Sequence, residues 1–141
     1  MNVTVLGGGH GALCMAADLS LAGHEVALYL RNRDRFAETF ATRRIRLSGA
    51  GRSGEAHIKL VTSDIGEALD VASLVFVPLP AYAHVSIAGQ ASGHLRSDQL
   101  VCLTPGTFGS FTFAEILRQF GCPGIVAAEM ATLPYGTRIV G

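Results

Sequence analysis

The sequence predicts an α/β fold in which helices cover both faces of a doubly wound parallel sheet, with a β-hairpin inserted into it. Short runs of aliphatic and β-branched residues alternate along the chain with segments of helical periodicity, a pattern typical of buried parallel strands. A glycine-rich turn follows the first run, as it does in Rossmann-type folds. The 141 residues are 49% hydrophobic and 16% charged. Length and composition therefore fit one compact domain with a sizeable core.

The first half of the chain contains a strand, helix and strand, followed by the insertion. Gly23 is positioned to end the first helix, and the glycines and serines of residues 48–54 suit a hairpin loop. The predicted elements of this half are strand 2–6, helix 11–22, strand 25–30, helix 34–42 and the two hairpin strands 45–47 and 57–60.

Alternation of strands and helices resumes in the second half. Asp64 and Glu67 have the spacing of a capping box, which predicts a helix opening at Asp64. Phe113, Leu117 and Phe120 fall on one face of a later helix and are expected in the core. The predicted elements are strand 74–77, ended by Pro78 and Pro80, helix 81–95, strand 100–103, helix 111–120, closed by Gly121, and strand 125–129.

Charge and cysteine content exclude several classes of partner. Eleven basic and eleven acidic residues balance, with a sequence pI near 7.0, so binding to nucleic acid is not expected. The three cysteines, Cys14, Cys102 and Cys122, have no metal-ligand spacing, so we expect reduced thiols and no metal. The amino terminus lacks the basic start and continuous apolar core of a signal peptide, and no apolar run reaches a membrane span. A cytoplasmic protein without a membrane partner is expected.

The glycine loop carries the most informative motif. Gly7, Gly9 and Ala12 form a G-x-G-x-x-A frame between a predicted strand and a predicted helix. The first glycine permits the tight turn, the second lets the backbone approach a diphosphate, and the small third residue lets helix and strand pack closely. Main-chain N–H groups of residues 9–12, including His10 and Gly11, would then face a dinucleotide. A glycine-rich turn without a ligand is the alternative.

The residues after the second strand predict which dinucleotide binds. An NAD site places an acidic residue about 20 residues beyond the glycines, and residues 29–31 contain none. Arg31, Asn32 and Arg33 follow instead, and guanidinium groups beside an amide suit a 2′-phosphate. NADP is therefore preferred over NAD. In the alternative, the arginines are solvated and Asp34 contacts the ribose.

Together with the glycine frame, four further segments give the chain a resemblance to a known family. These are Gly23–Val26, Leu79–His84, Leu103–Gly106 and Glu129–Tyr135. With them the chain resembles the N-terminal cofactor domain of the opine dehydrogenases, the octopine and nopaline dehydrogenase family. The resemblance implies an NAD(P)-dependent oxidoreductase that acts on a CH–NH group, reductively condensing a 2-oxo acid with an amino acid.

That resemblance also implies roles for particular residues. Leu79, Pro80, Ala81 and His84 would border the riboses, although His84 could instead face solvent at the start of its helix. Thr104, Pro105 and Gly106 would lie near the nicotinamide. The side chain of His10 could touch a phosphate or ribose, unless the loop binds only through its main chain. Glu129 ends the last strand, where a salt bridge is as reasonable as a catalytic role. The catalytic residues themselves cannot be assigned.

A second, mostly helical domain with the substrate site and a His–Asp pair is also implied, and nothing in residues 1–141 matches it. We therefore expect a dinucleotide-binding domain that is inactive alone, and an apolar surface near Leu133, Pro134 and Tyr135 for a partner domain or a homo-oligomer. Two alternatives stay open. One is the cofactor domain of an enzyme like ketopantoate reductase or glycerol-3-phosphate dehydrogenase, and the other is a stand-alone dinucleotide-sensing module.

Overall fold

The computed structural model describes residues 1–122 and 124–140, so Gly141, the last residue of the predicted domain, lies outside the described residues. Eight strands and five α-helices alternate along this part of the chain. In order they are β1 (Asn2–Leu6), α1 (His10–Leu21), β2 (Glu25–Tyr29), α2 (Ala37–Thr42), β3 (Arg44–Leu47), β4 (Gly54–His57), β5 (Leu60–Thr62), α3 (Ile65–Asp70), β6 (Leu74–Val77), α4 (His84–Ala91), β7 (Leu100–Leu103), α5 (Gly109–Gln119) and β8 (Val126–Glu129).

Six strands form one parallel sheet in the order β5-β2-β1-β6-β7-β8. The order reverses direction between β1 and β6, and the crevice at such a switch point is where doubly wound sheets bind ligands. The predicted fold class is confirmed. Every strand of this sheet ends at the same edge, so the loops after β1, β2, β6, β7 and β8 lie side by side.

Two hydrophobic cores fill the two faces of the sheet. Because successive side chains of a strand point to opposite faces, Val5 packs with α1, whereas its neighbour Leu6 packs with α3, α4 and α5. Ala12, Ala16 and Ala17 of α1 are fully buried, which lets this helix lie close to the sheet. The glycine-loop helix is thereby held rigidly above β1.

The hairpin differs from the prediction in its second strand. The predicted strand 57–60 divides into β4, which pairs antiparallel with β3, and β5, which joins the edge of the main sheet beside β2. Ile58 lies between them with 0% exposure and donates its N–H to the carbonyl of Arg43 at 2.7 Å. Burial of this one residue anchors the crossing from the hairpin to the sheet, and an alternating pattern alone does not reveal such a crossing.

Helix boundaries and one core assignment also differ. α5 begins at Gly109 rather than at residue 111, and the predicted helix 81–95 is a 3₁₀ turn at residues 81–83 followed by α4. Phe113 and Leu117 are buried as predicted, but Phe120 is 63% exposed, so its placement in the core is wrong. Phe120 follows the last helical residue, where the backbone leaves the helical path.

The segment after β8 packs along α1 without forming a strand or helix. The hydroxyl of Tyr135 donates to the Asp18 carboxylate at 3.0 Å, and Leu133 lies against Gly11. Leu133 and Tyr135 are half-buried by their own chain, whereas Pro134 is exposed, so the apolar surface predicted near these three residues is partly covered and partly accessible. Within residues 1–122 and 124–140 there is no helix with the length and apolar character needed to cross a membrane.

Candidate functional site

Gly7 makes the turn from β1 into α1. Its φ of +130° lies in the region that favours glycine, and its N–H donates to the carbonyl of Tyr29 at 3.0 Å. A Cβ at Gly7 would stand 2.7 Å from Cδ2 of Leu79, so the loop after β6 is in contact with the glycine loop. Ala12 is also fully buried. Both ends of the G-x-G-x-x-A frame are therefore required by close packing.

Gly9 faces open space at the start of α1. No heavy atom lies within 4 Å of the position that a Cβ would take there, among the atoms of the described chain. The first backbone hydrogen bond of the helix runs from Leu13 N–H to the Gly9 carbonyl at 3.1 Å. The N–H groups of residues 10–12 precede it and have no intrahelical acceptor by the geometry of an α-helix. This end of α1 is an open cradle of donors with the positive end of the helix dipole behind it.

Gly8 is covered by the aromatic side chain of Phe36, which was not among the predicted site residues. A Cβ at Gly8 would meet the ring of Phe36 at 2.6 Å and Cδ2 of Leu30 at 3.0 Å. The guanidinium of Arg35 lies over the same ring, 5.2 Å from its centroid. Arg35 is therefore held beside the glycine loop, and the run Arg31, Arg33, Arg35 was the available signal for it.

The three residues predicted to choose the cofactor follow β2 and are exposed. The Asn32 side chain accepts the N–H of Arg35 at 2.9 Å, which fixes the turn. Arg33 donates to Ser63 Oγ at 3.3 Å, and its guanidinium lies 4.4 Å from the centroid of the Phe40 ring. Arg33 is thus turned toward the end of β5, the edge strand beside β2. Leu30, where an acid would stand in an NAD site, is fully buried.

His10 and Gly11 contact the carboxyl-terminal segment of the chain. Nδ1 of His10 accepts the N–H of Ile139 at 2.7 Å, so this ring nitrogen is already used. A Cβ on Gly11 would stand 2.5 Å from Cδ2 of Leu133. The His10 side chain and the Cα of Gly11 therefore face this segment, which leaves the main-chain N–H groups of both residues as donors at the cradle.

His84 is buried, with 1% exposure, and does not face solvent. Its Nε2 lies 3.0 Å from the carbonyl of Leu79, so a ring N–H at this position ties α4 to the loop after β6. Its Nδ1 is a buried atom without a partner among the described residues, and it contacts Gly109 at the start of α5. Pro80 and Ala81 lie between Leu79 and His84 in the sequence and are exposed at the carboxyl edge of the sheet.

The loop after β7 is the most constrained backbone of this edge. Thr107 and Phe108 both have positive φ, +52° and +61°, a conformation that costs L-residues about 1–3 kcal/mol each and is concentrated at functional sites. Thr104 and Gly106 are buried, and Pro105 is half-buried. Thr104 Oγ1, like His84 Nδ1, is a buried polar atom with no partner among the described residues.

Glu129 has a structural partner at the end of β8. Its carboxylate accepts the N–H groups of Phe108 and Ser110, each at 3.0 Å. The N–H of Ser110, more than any other group, lowers the pKa of Glu129 below its ordinary value of 4.5. Glu129 therefore caps α5, which supports the structural interpretation of this acid over a catalytic one.

Exposed aromatic side chains surround the same edge. Tyr82 is 88% exposed, and Phe108 and Phe111 are 76% and 73% exposed, with their rings 6.5 Å apart and nearly parallel. They follow β6 and β7. Exposed apolar surface therefore lies beside the loops after these strands as well as at Pro134.

A second concavity lies on the α1 face of the sheet. It has a volume of about 630 Å³ and opens between α1, the segment before α2 and the hairpin strand β3. Arg35, Arg44, Arg46 and Arg138 line it, and among the described residues Glu38 is the one lining carboxylate. The hairpin was predicted only as an insertion, so its arginines were not among the predicted site residues.

A nicotinamide dinucleotide fits the arrangement at the carboxyl edge. The cradle at Gly9 leaves open space beside main-chain donors, and the two buried polar atoms without a partner among the described residues lie at the start of α4 (His84 Nδ1) and after β7 (Thr104 Oγ1). Apolar Leu79 stands between the two regions, against Gly7. Donors, space and apolar contact are thus arranged in the order that a dinucleotide requires.

Comparison with known proteins agrees with this geometry. The family described as Ketopantoate reductase PanE/ApbA matches residues 3–119. The opine dehydrogenase of Arthrobacter sp. (strain 1C) is 36% identical over 135 residues, covering 95% of this chain and 38% of that protein. The glycerol-3-phosphate dehydrogenase (NAD(P)+) of Alcanivorax borkumensis is 32% identical over 124 residues, covering 84% of this chain and 35% of that protein.

Solved structures share the fold at low sequence identity. An octopine dehydrogenase with NADH and L-arginine superposes with a TM-score of 0.75 and 22% identity, covering 96% of this chain and 36% of that chain. A ketopantoate reductase from Ralstonia eutropha gives 0.65 and 23%, covering 92% and 40%. The chain spans less than two fifths of the length of the curated relatives it matches.

Proposed function

We propose that this chain, which belongs to the ketopantoate reductase PanE/ApbA family, binds NADP(H) for an oxidoreductase similar to opine dehydrogenase. The observation that carries the proposal is the open cradle at Gly9, where the amino-terminal donors of α1 meet unfilled space. Similarity to the opine dehydrogenase extends over 95% of the chain and so includes the loops after β6 and β7. A nicotinamide dinucleotide is thereby supported, and the 2′-phosphate and the substrates are the further parts of the proposal.

The diphosphate is held by main-chain donors. Gly7, Gly9 and Ala12 give the loop its shape, and the N–H groups of His10, Gly11 and Ala12 bind phosphate oxygens with the help of the helix dipole. The ring of His10 does not bind phosphate through Nδ1, since that atom accepts the Ile139 N–H. In this role His10 contributes its backbone.

The 2′-phosphate is recognised after β2. Buried Leu30 presents no carboxylate to repel it, and exposed Arg31, Asn32 and Arg33 supply cationic and amide donors. The contacts of Arg33 with Ser63 and Phe40 reduce the freedom that it loses on binding. NAD binding through Asp34 is the competing assignment, and it predicts no preference for the phosphorylated cofactor.

The nicotinamide half lies against the loops after β6 and β7. When bound, the nicotinamide supplies the hydride for the reduction. Leu79, Pro80 and Ala81 line the ribose side, with His84 holding their loop through the Leu79 carbonyl. Thr104, Pro105 and Gly106 form the adjacent wall. These residues orient the ring and exclude water.

The substrates belong to the proposal for the whole enzyme. By analogy with the relatives, a 2-oxo acid and an amino acid are condensed and reduced, and the substrate-binding part lies outside these 141 residues. The chain alone is then expected to bind NADPH and not to oxidise it when pyruvate and an amino acid are added. Turnover by the isolated chain would contradict this division of labour.

A second candidate has support of its own. The family match and the glycerol-3-phosphate dehydrogenase relative favour an enzyme that reduces a ketone directly. The natural enzyme would then oxidise NADPH with a 2-oxo acid or dihydroxyacetone phosphate alone. An opine-type enzyme needs an amino acid as well, so one substrate panel separates the two. A dinucleotide sensor would reduce neither.

Cofactor choice is tested by calorimetric titration of the chain with NADPH and NADH at low salt. A charge-assisted pair with the 2′-phosphate is worth about 1.5–3 kcal/mol, so NADPH should bind about tenfold or more tightly than NADH. Replacing Arg31 and Arg33 by alanine should weaken NADPH binding and leave NADH binding unchanged.

The matched control replaces Arg52 and Arg118, two exposed arginines whose carboxylate partners are Asp18 and Glu115, by alanine. It removes the same charge away from β2 and should retain the preference. Equal affinity of the unmodified chain for the two cofactors would overturn the assignment of NADP and return the ribose to Asp34.

A further inference from the structure

We propose that the concavity between α1 and the hairpin, here called the arginine groove and defined by Arg35, Arg44 and Arg46, binds a phosphate monoester. The phosphate belongs either to a separate phosphorylated small molecule or to the 2′-position of the dinucleotide, and only the second source rests on the proposed function. The groove adjoins the main-chain cradle at Gly9, to which we assign the diphosphate, because His10 lines the groove and also supplies a cradle donor.

The groove is large enough for a small molecule and is bounded by four parts of the chain. Its volume of about 630 Å³ lies within the range of about 300–1,000 Å³ typical of ligand pockets. Its walls are the first turns of α1, the segment before α2, β3 and residues 137–140. Aliphatic Leu13 and Ile45 and the hydroxyls of Thr39 and Ser48 lie between the charged groups, so the lining offers both apolar contact and hydrogen bonds.

Pairing of β3 with β4 places two of the arginines on one face of the hairpin. Arg44 and Arg46 are exposed, whereas the alternate residues Ile45 and Leu47 are half-buried against the core beneath α1. The apolar pair fixes the register of the hairpin, because a shift by one residue would expose it and bury both arginines. The two cations are therefore held at the groove by the packing of their neighbours.

Arg35 approaches the groove from the other side. Its N–H is bound by the Asn32 side chain at 2.9 Å, and its guanidinium lies over the Phe36 ring, which in turn lies against Gly8. The first contact fixes the backbone at Arg35, and the second places its guanidinium over an aromatic ring between the glycine loop and the hairpin. The entropy that Arg35 would lose on binding an anion is reduced accordingly.

The charge of the groove is unbalanced in the absence of a ligand. Arg44 pairs with Glu55 at 3.0 Å, and both side chains are about 60% exposed, so this pair is weak. Arg46 has no carboxylate within ion-pair distance among the described residues, and Glu38 is the one acid that lines the groove. Guanidinium groups bind the oxygens of a phosphate dianion through paired hydrogen bonds. The single carboxylate of Glu38 does not neutralise the several guanidinium groups that line the groove.

The experiment measures binding of three probes, inorganic phosphate, NADPH and NADH, to the whole chain by calorimetry at low salt. The test variant carries Arg35→Gln and Arg46→Gln. The matched control carries Arg52→Gln and Arg118→Gln, which remove the same charge outside the groove. Arg46→Gln alone, at an exposed strand position, serves as a second variant if the first does not fold.

Each outcome decides the proposal. A loss of about tenfold or more in NADPH affinity, with NADH unchanged, supports the 2′-phosphate as the ligand. Loss of inorganic phosphate binding, with both dinucleotides unchanged, supports a separate phosphorylated molecule. If all three probes bind the test variant and the control with equal affinity, the proposal is overturned. It is also overturned if inorganic phosphate does not bind the unmodified chain and NADPH binds it no more tightly than NADH. If the chain binds neither dinucleotide, the proposed function fails, and the titration with inorganic phosphate alone then decides whether the groove binds phosphate.

Discussion

The carboxylate of Glu129 accepts the backbone N–H of Ser110 at 3.0 Å, so the last strand of the sheet caps the first turn of α5. α5 has no side-chain cap of its own, because the residue before it, Phe108, has no hydrogen-bond acceptor in its side chain. Glu129 also takes the N–H of Phe108 at 3.0 Å. One acid thus joins the loop after β7, α5 and the end of β8, and holds the loop that we place beside the nicotinamide.

Replacing Glu129 by alanine should lower the free energy of unfolding, because the N–H groups of Phe108 and Ser110 lose their acceptor at the start of α5. Urea denaturation followed by circular dichroism measures this difference. Glu115→Ala is the control, since Glu115 pairs with Arg118 on the exposed face of the same helix and its loss should lower the free energy of unfolding less than the loss of Glu129 does. Equal costs for the two variants would contradict the capping role.

The contribution of Glu129 should depend on pH in one direction. Hydrogen bonding to Ser110 sets the folded pKa below the ordinary value of 4.5, which the unfolded chain retains. The stabilisation is therefore fully present above pH 4.5 and is lost as the pH falls through the lowered pKa. The difference in unfolding free energy between the native chain and Glu129→Ala should shrink from pH 7 to pH 3. A difference that stays constant would show that the charge of Glu129 does not matter.

Gly109 should tolerate no side chain. A Cβ there would overlap Nδ1 of His84, which is fixed by its bond to the Leu79 carbonyl, and would approach Cδ2 of Leu103 at 3.3 Å. Gly109→Ala should destabilise the chain by about 1–3 kcal/mol, as overpacking does. Gly89→Ala in α4 has no heavy atom within 4 Å of the new Cβ and should be neutral or stabilising. Thermal unfolding of both variants compares them, and equal changes would exclude the contact.

Contact between Gly11 and Leu133 should appear as coupling between two substitutions. Gly11→Ala places a Cβ 2.5 Å from Cδ2 of Leu133 and should be costly in the native chain. The same substitution should cost at least about 0.5 kcal/mol less when Leu133 is already alanine. A double-mutant cycle in urea, without cofactor, measures this coupling. Additive effects would mean that the segment after β8 does not rest on α1 in solution.

The sequence predicted the parallel sheet, because its signal is local: apolar strands, helical periodicity and a glycine frame each lie within a few residues. The split of the segment 57–60 into β4 and β5 was not predictable in this way. It depends on Ile58 being buried under α1, a contact between distant parts of the chain. The exposure of Phe120 was missed for a similar reason, since the helical pattern extends one residue beyond the helix.

The site shows the same division. The roles of Gly7 and Ala12 follow from the motif, since backbone turn and close packing need particular residue types at particular spacing. The arginine groove could not be predicted, because Arg35 and Arg46 meet only when the hairpin folds back along α1. The contact of Leu133 with Gly11 was missed as well, whereas Pro134 is exposed as expected.

The open cradle at the start of α1 is the central feature of the proposed dinucleotide site. Gly9 has an ordinary φ of −77° and no neighbour within 4 Å of a new Cβ, so Gly9→Val should fold. Its side chain would occupy the space of the diphosphate. Gly51→Val, in the exposed hairpin loop and with the same lack of neighbours, is the matched control.

Calorimetric titration of the unmodified chain and these two folded variants with NADPH is the most direct measurement. Binding should be lost in Gly9→Val and retained in Gly51→Val. Equal affinity of all three proteins for NADPH would contradict the assignment of the glycine loop as the dinucleotide site.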